Sequence, residues 1–249
     1  MWKEIGKVFR HFGALEYECR CILLTGEGDS FCAGIDVFDD SFGLIDLNDS
    51  QGKDVARQFL SFRPKIIEMQ QCLSAIEECS IPVVVAIHGS CIGGGIDLSS
   101  CADVRISSPS AKFSIREVQL GLAADVGTLQ RFPKIVGHGS RVRELCLTGE
   151  DFNAQESARI GFISRISKSD ETLFDEALCI CRRIAKNSPV AVAGTKMSLN
   201  YSRDHSVRDG LENIAMHNAA ALMTNDVIVA FSNRNGVARF DSLIPHSKL

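Results

Sequence analysis

Apolar residues at Trp2, Ile5, Val8, Phe9 and Phe12 recur every three or four positions and predict an opening helix. Cys21-Ile-Leu-Leu-Thr25 predicts a buried strand ended by Gly26 and Gly28, with the small-residue segment Ser30-Phe-Cys-Ala-Gly-Ile-Asp36 directly after it. Residues 37–53 are acidic and mixed, a pattern for a loop or short helix. From Asp54 to about Cys79 the period is helical again, and Pro64 is expected to kink or split that helix. Val83, Val84, Val85 and Ile87 form a β-branched run that stops at His88-Gly89. A glycine turn then opens a helix near Gly94, followed by strands near 103–107 and 112–115 and helices over 127–136 and 140–147. Gly149 to Gly161 reads as a turn, a short helix and a glycine stop, and 162–166 as a brief strand. After the N-cap pair Ser169-Asp170, Leu173, Ala177, Cys181 and Ile184 share one helix face. Pro189 starts another helix through Met197, and Val207, Leu211, Ile214 and Leu222 mark a last helical region. Strands alternate with helices for about 165 residues before helices alone remain, which predicts an α/β core with an all-α tail.

The most informative stretch is Ile81 to Asp125. Gly93, Gly94 and Gly95 follow a strand and precede Ile96-Asp97-Leu98, so backbone N–H groups at a helix start are free to meet an anion. The run is neither G-x-G-x-x-G nor a Walker loop, which argues against nucleotide binding. Cys32-Ala33-Gly34-Ile35-Asp36 forms a second small-residue turn after a strand. Two such turns facing each other can offer two donors to one developing oxyanion, the need of an enolate or a tetrahedral intermediate. Three acids lie close by in sequence: Asp97, Glu117 and Asp125. Each has a plainer reading. Asp97 is a first-turn acid that suits the helix dipole, and Asp125 can cap the helix carrying Leu129. Glu117 and Asp125 lie in apolar stretches, Ile115-Arg-Glu-Val118 and Leu122-Ala-Ala-Asp-Val126, a setting that raises a carboxyl pKa and suits proton transfer.

Composition narrows the options further. The 249 residues are 45% hydrophobic, with a formal net charge of -4 and no basic block, so nucleic acid is not an expected partner. No apolar run approaches the roughly 18 residues of a membrane span, and the first residues lack a signal core. The ten cysteines lie mostly inside apolar segments and read as reduced core residues. Neither C-x-C pair has zinc-site spacing, so no metal is expected. His88 reads as structural.

His88-Gly-Ser-Cys-Ile-Gly-Gly-Gly-Ile-Asp97, Ile115-Arg-Glu-Val118, Gly121 to Arg131 and Tyr201-Ser-Arg-Asp-His-Ser-Val207 together resemble the crotonase (enoyl-CoA hydratase/isomerase) superfamily. The acid triplet, with intervals of 20 and 8 residues, resembles its dienoyl-CoA isomerase group. That resemblance implies a crotonase-type spiral of ββα units with a C-terminal all-α oligomerisation region. Residues 1–190 would form the acyl-CoA-binding catalytic core, and 191–249 the helical region with its tail. It also implies an oxyanion hole from the Ile35 and Gly94 N–H groups, and an acyl-CoA site lined by Cys32, Ala33, Gly34, Ile35 and Asp36. Glu117 and Asp125 would be the two acid/bases and Asp97 the third acid of the pocket. The substrate would be a 3,5-dienoyl-CoA, with coenzyme A part of the substrate and no separate cofactor. Hydratase or Δ3-Δ2 isomerase activity, or an inactive acyl-CoA-binding subunit, are the competing readings. Relative to the family, the usual N-terminal strand and turn are expected to be missing ahead of Met1. A homotrimer or homohexamer is implied. Ser247-Lys248-Leu249 matches the peroxisomal import signal and implies recognition by the import receptor in peroxisomes or glycosomes.

Overall fold

The structure is a computed structural model that describes residues 1–14, 19–35, 54–233 and 238–241. Asp36, the 37–53 segment and Ser247-Lys248-Leu249 lie outside the described residues. The chain opens with α1 (Trp2–Gly13), β1 (Ile22–Thr25) and α2 (Val55–Glu78). Then come β2 (Val83–Ile87), β3 (Ser90–Ile92), α3 (Gly94–Ser100), β4 (Val104–Ser107) and β5 (Lys112–Ser114). A 3-10 turn over Glu117–Leu120 leads to α4 (Thr128–Val136), α5 (Ser140–Thr148), β6 (Phe152–Asn153), α6 (Ala154–Arg159) and β7 (Arg165–Ile166). Four helices finish the described chain: α7 (Leu173–Ala185), α8 (Pro189–Asp204), α9 (Val207–Ala221) and α10 (Asn225–Ser232).

The strands form two sheets. One is parallel in the order β1-β2-β4-β7, with Val84 in register between Leu23 and Val104. The other has the order β3-β5-β6, with β3 parallel to β5 and β6 antiparallel. Successive strands β2 and β3, then β4 and β5, leave one sheet for the other, which is the ββα spiral expected from the sequence. The continuous apolar run of β2 has a simple cause: both of its faces are covered. Val83, Val85 and Ile87 pack with Leu73, Ile76 and Phe113 on one side. Val84 and Ala86 meet Leu173, Ala177 and Ile180 of α7 on the other.

Pro64 does not split the second helix, which runs unbroken from Val55 to Glu78. Proline removes one N–H bond to the carbonyl four residues back. Here that carbonyl belongs to Leu60 on the exposed half of the helix, where water can replace the lost donor. The helix begins where the period predicts, and the structure shows the cap: the Asp54 side chain accepts from the Arg57 N–H at 2.9 Å. The cap predicted for α7 differs: Thr172 occupies the N-cap, and Asp170 accepts instead from the Ser110 N–H. Helix α8 continues past Met197 to Asp204, and the last helical region divides into α9 and α10. All ten cysteines are free thiols, with Cys72, Cys79, Cys91, Cys101 and Cys181 buried. Among the described residues, no single helix is long and apolar enough to cross a membrane.

Helix α8 is fastened to the core by polar residues at Lys196, Asn200 and Arg203, which share one face at helical spacing. Lys196 is buried and donates to the carbonyls of Ile81 (3.1 Å) and Ile76 (3.4 Å) while pairing with Asp103 at 2.8 Å. Asn200 donates to the Glu77 carbonyl at 3.1 Å. These donors satisfy carbonyls at and just beyond the end of α2 that have no partner within that helix. Removing the cation would leave two carbonyls without their donor and take the counter-charge from the partly buried Asp103, whose carboxylate keeps the Val83 N–H. Lys196→Met is therefore expected to cost about 3 kcal/mol in chemical denaturation, and an unchanged midpoint would refute this account of the docking.

Candidate active site

The two small-residue turns meet as the sequence suggested. Cys32 pairs with Cys91 in a parallel bridge: the Cys32 N–H donates to Ser90 O at 2.9 Å, and the Ile92 N–H donates to Cys32 O at 3.0 Å. This lays residues 32–34 along β3 and brings Gly34 against the glycine turn. A Cβ built on Gly93 (φ 53°) would lie 3.3 Å from Glu117 Oε1 and 4.0 Å from Gly34 Cα, so the backbone approach needs glycine. Gly94 is the first residue of α3 and is buried. Its N–H has no carbonyl four residues back in the helix, whereas Ile96 and Asp97 donate to Gly93 O. Gly94 also accommodates the Trp2 ring, which a side chain there would meet at 2.9 Å.

A cavity of about 110 Å³ opens beside this junction. Ile35, Gly94, Asp97, Glu117 and Asp125 line it together, so the fold gathers both turns and all three acids. Ala33 is exposed, and Cys32 is half-buried with its thiol pushed up by burial. Trp2 and the α2 residues Phe62, Lys65, Ile66 and Met69 supply the opposite wall. Sequence reasoning missed that wall. The helical period from Asp54 to about Cys79 takes in Phe62, Ile66 and Met69, but nothing local says which space they enclose.

The three carboxyls stand in different surroundings. Asp97 has no exposed surface; its Oδ1 accepts from the Thr128 N–H at 2.5 Å and its Oδ2 has no partner. Asp97, not Asp125, thus serves the N-terminus of α4, whose N-cap position is Gly127. Burial is the main reason the Asp97 carboxyl is pushed up to about 6, opposed by the Thr128 hydrogen bonds and the Arg131 charge and assisted by Asp125. Glu117 starts the 3-10 turn, and its Oε2 is buried without a partner. Burial raises its carboxyl too, with smaller contributions from Asp97 and Asp125. Asp125 is exposed along the loop before α4, which Gln70 ties to α2 by donating to Asp125 O at 2.6 Å. Free helix-start donors beside acids held in unlike surroundings form a site for enolate-forming proton transfer.

The spiral fold and the family are shown by comparison with known proteins. Residues 1–240 match the family model described as enoyl-CoA hydratase/isomerase, and the chain belongs to that family. It is 41% identical over 227 residues to the human mitochondrial Delta(3,5)-Delta(2,4)-dienoyl-CoA isomerase, covering 91% of this chain and 68% of the relative. It is 43% identical over 211 residues to the peroxisomal Delta(3,5)-Delta(2,4)-dienoyl-CoA isomerase of Arabidopsis thaliana, covering 85% and 75%. Among solved structures, enoyl-CoA hydratase from Bacillus anthracis superposes with a TM-score of 0.82 at 26% identity, over 96% of this chain and 87% of that one. A putative enoyl-CoA hydratase from Thermobifida fusca in complex with CoA gives 0.73 at 25% identity, over 89% and 82%.

The buried Asp97 carboxyl has a consequence for stability. Its ordinary value is 3.8 and its folded value about 6, so between these pH values the native state holds a proton that the unfolded state has released. Stability from this group is present below the lower value and is lost as pH rises to the higher, by up to about 3 kcal/mol. The stability advantage of Asp97→Asn over the wild type should therefore grow by about that amount from pH 4 to pH 7. Denaturation curves that keep a constant gap across this range would refute the raised value.

Proposed function

We propose that the chain is a dienoyl-CoA isomerase that converts 3,5-dienoyl-CoA to 2,4-dienoyl-CoA in the oxidation of unsaturated fatty acids. The observation that carries this reading is the presence of Asp97, Glu117 and Asp125 in one cavity with Gly94 and Ile35. The names of the relatives support the same substrate class. The thioester oxygen accepts from the Ile35 and Gly94 N–H groups. Glu117 takes a proton from C2, and the electron pair spreads into the thioester oxygen and along the diene to C4 and C6. Preorganised donors lower the cost of that charge without rearranging water. Asp125, acting as the acid, delivers a proton to C6, leaving double bonds at C2 and C4. Glu117 then carries the proton taken from C2, and Asp97 or water returns the pair to its starting state. The chemistry requires no cofactor beyond the CoA that belongs to the substrate. Cys32, Ala33, Gly34 and Asp36 would line the path of the acyl-CoA.

Exposed Leu211, Met216, Leu222, Met223, Ile228 and Phe231 on and between α9 and α10 support a homotrimer or a dimer of trimers built through residues 191–249. The terminal Ser247-Lys248-Leu249 and the peroxisomal plant relative support a peroxisomal or glycosomal location reached through the import receptor, while the human relative is mitochondrial.

Two measurements test this reading. Asp125→Asn and Glu117→Gln should each lower turnover of a 3,5-dienoyl-CoA by about 10²–10⁴, followed by absorbance of the conjugated product. Undiminished turnover in Asp125→Asn would sink the assignment, and faster water addition to a 2-enoyl-CoA would favour a hydratase. In sedimentation, the protein should run at three or more times the 27.2 kDa chain mass; a monomer would remove the assembly proposal.

A further inference from the structure

Asp97 and Asp125 flank the start of α4, and the backbone from Asp125 to Thr128, whose N–H bonds Asp97, passes through Gly127 at φ 139°, a conformation that side chains rarely adopt. The space a Cβ would take at Gly127 is filled by the guanidinium of Arg131, one turn further along the same helix. That guanidinium is held from outside α4. Its Nε donates to Glu77 Oε2 at 2.6 Å and its terminal nitrogen to Ser74 Oγ at 2.9 Å, both on α2. The pair is 14% and 12% exposed, so solvent screens it weakly. The other Glu77 oxygen accepts from Arg203 of α8, and Lys134 of α4 pairs with Asp204. The loop of the proposed active site is thereby braced against two other helices through one arginine.

We propose that Arg131 is a positioning residue: clamped by Glu77 and Ser74, it presses on Gly127 and fixes the separation of the Asp97 and Asp125 carboxyls. It touches neither substrate nor reacting atoms in this reading, and its catalytic consequence rests on the function proposed above. Its charge also faces Asp97. The other titratable groups around Asp97 are Asp125, Glu117 of the 3-10 turn, Cys101 after α3, Cys32 of the first turn and Cys91 of β3. None of these is a cation, so removing Arg131 should move the Asp97 midpoint upward.

The test is a double-mutant cycle of Gly127→Ala and Arg131→Met, with Arg131→Lys as the conservative variant. A shift in reacting geometry of this kind costs on the order of 10²-fold. Arg131→Met should lower kcat about 10–100-fold, with KM changing less than about 3-fold. Gly127→Ala should lower kcat at least as much, because it adds backbone strain to displacement of the guanidinium, and the double variant should be little worse than Gly127→Ala alone. Arg131→Lys should recover part of the loss. Independently of turnover, ¹³C-carboxyl NMR of the free protein should show the Asp97 midpoint raised in Arg131→Met. If the wild type fails on 3,5-dienoyl-CoA, the functional reading fails, and the positioning claim is decided by the NMR midpoint together with non-additive stability in the cycle. An unshifted midpoint with additive losses overturns it.

Discussion

Asp97 occupies the first turn of α3 with no exposed surface, and its Oδ1 takes the Thr128 N–H that begins α4. That bond joins the helix that presents Gly94 to the helix that follows Asp125. A helix N-terminus needs an outside acceptor, and a buried carboxyl needs a donor, so each satisfies the other. The second oxygen is left without a partner, which keeps burial dominant and the group's proton affinity high. Structural support and proton chemistry thus come from the same side chain, and the cavity depends on its place.

The surroundings extend this logic outward. Asp125 lies on a loop that α2 holds through Gln70, and the same helix clamps Arg131 of α4 through Glu77. Helix α2 is itself closed at its end by Lys196 and Asn200 from α8. The C-terminal helices are therefore coupled mechanically to the site, although none of their residues lines the cavity. The exposed apolar positions on α9 and α10 stand beyond that joint, where burial by another surface would add to the stability of the arm.

Much of the local order was legible in the chain. The β2 run, the glycine turn and the helix after it fall where period and turn chemistry place them, because each depends on neighbours in sequence. Pro64 shows the limit: its effect depends on its place beside exposed Leu60 on the outer half of the helix, which no local pattern records. The same holds for the cap of α4. Sequence proximity pointed to Asp125, yet the acceptor is Asp97, 31 residues away. Likewise, the helical period that takes in Phe62, Ile66 and Met69 of α2 was readable, but their role as a cavity wall required the opposite turns to be in place.

By itself the sequence determined the alternation of strands and helices, the two small-residue turns and the three acids with their family resemblance. These follow from short-range backbone preference and residue chemistry, which travel with the sequence. Only the tertiary structure decided that the turns meet through the Cys32–Cys91 bridge, that Asp97 is buried while Asp125 is exposed, and that Trp2 covers Gly94. Burial and long-range hydrogen bonding assign those roles, and both arise only when distant segments exclude water from the same space.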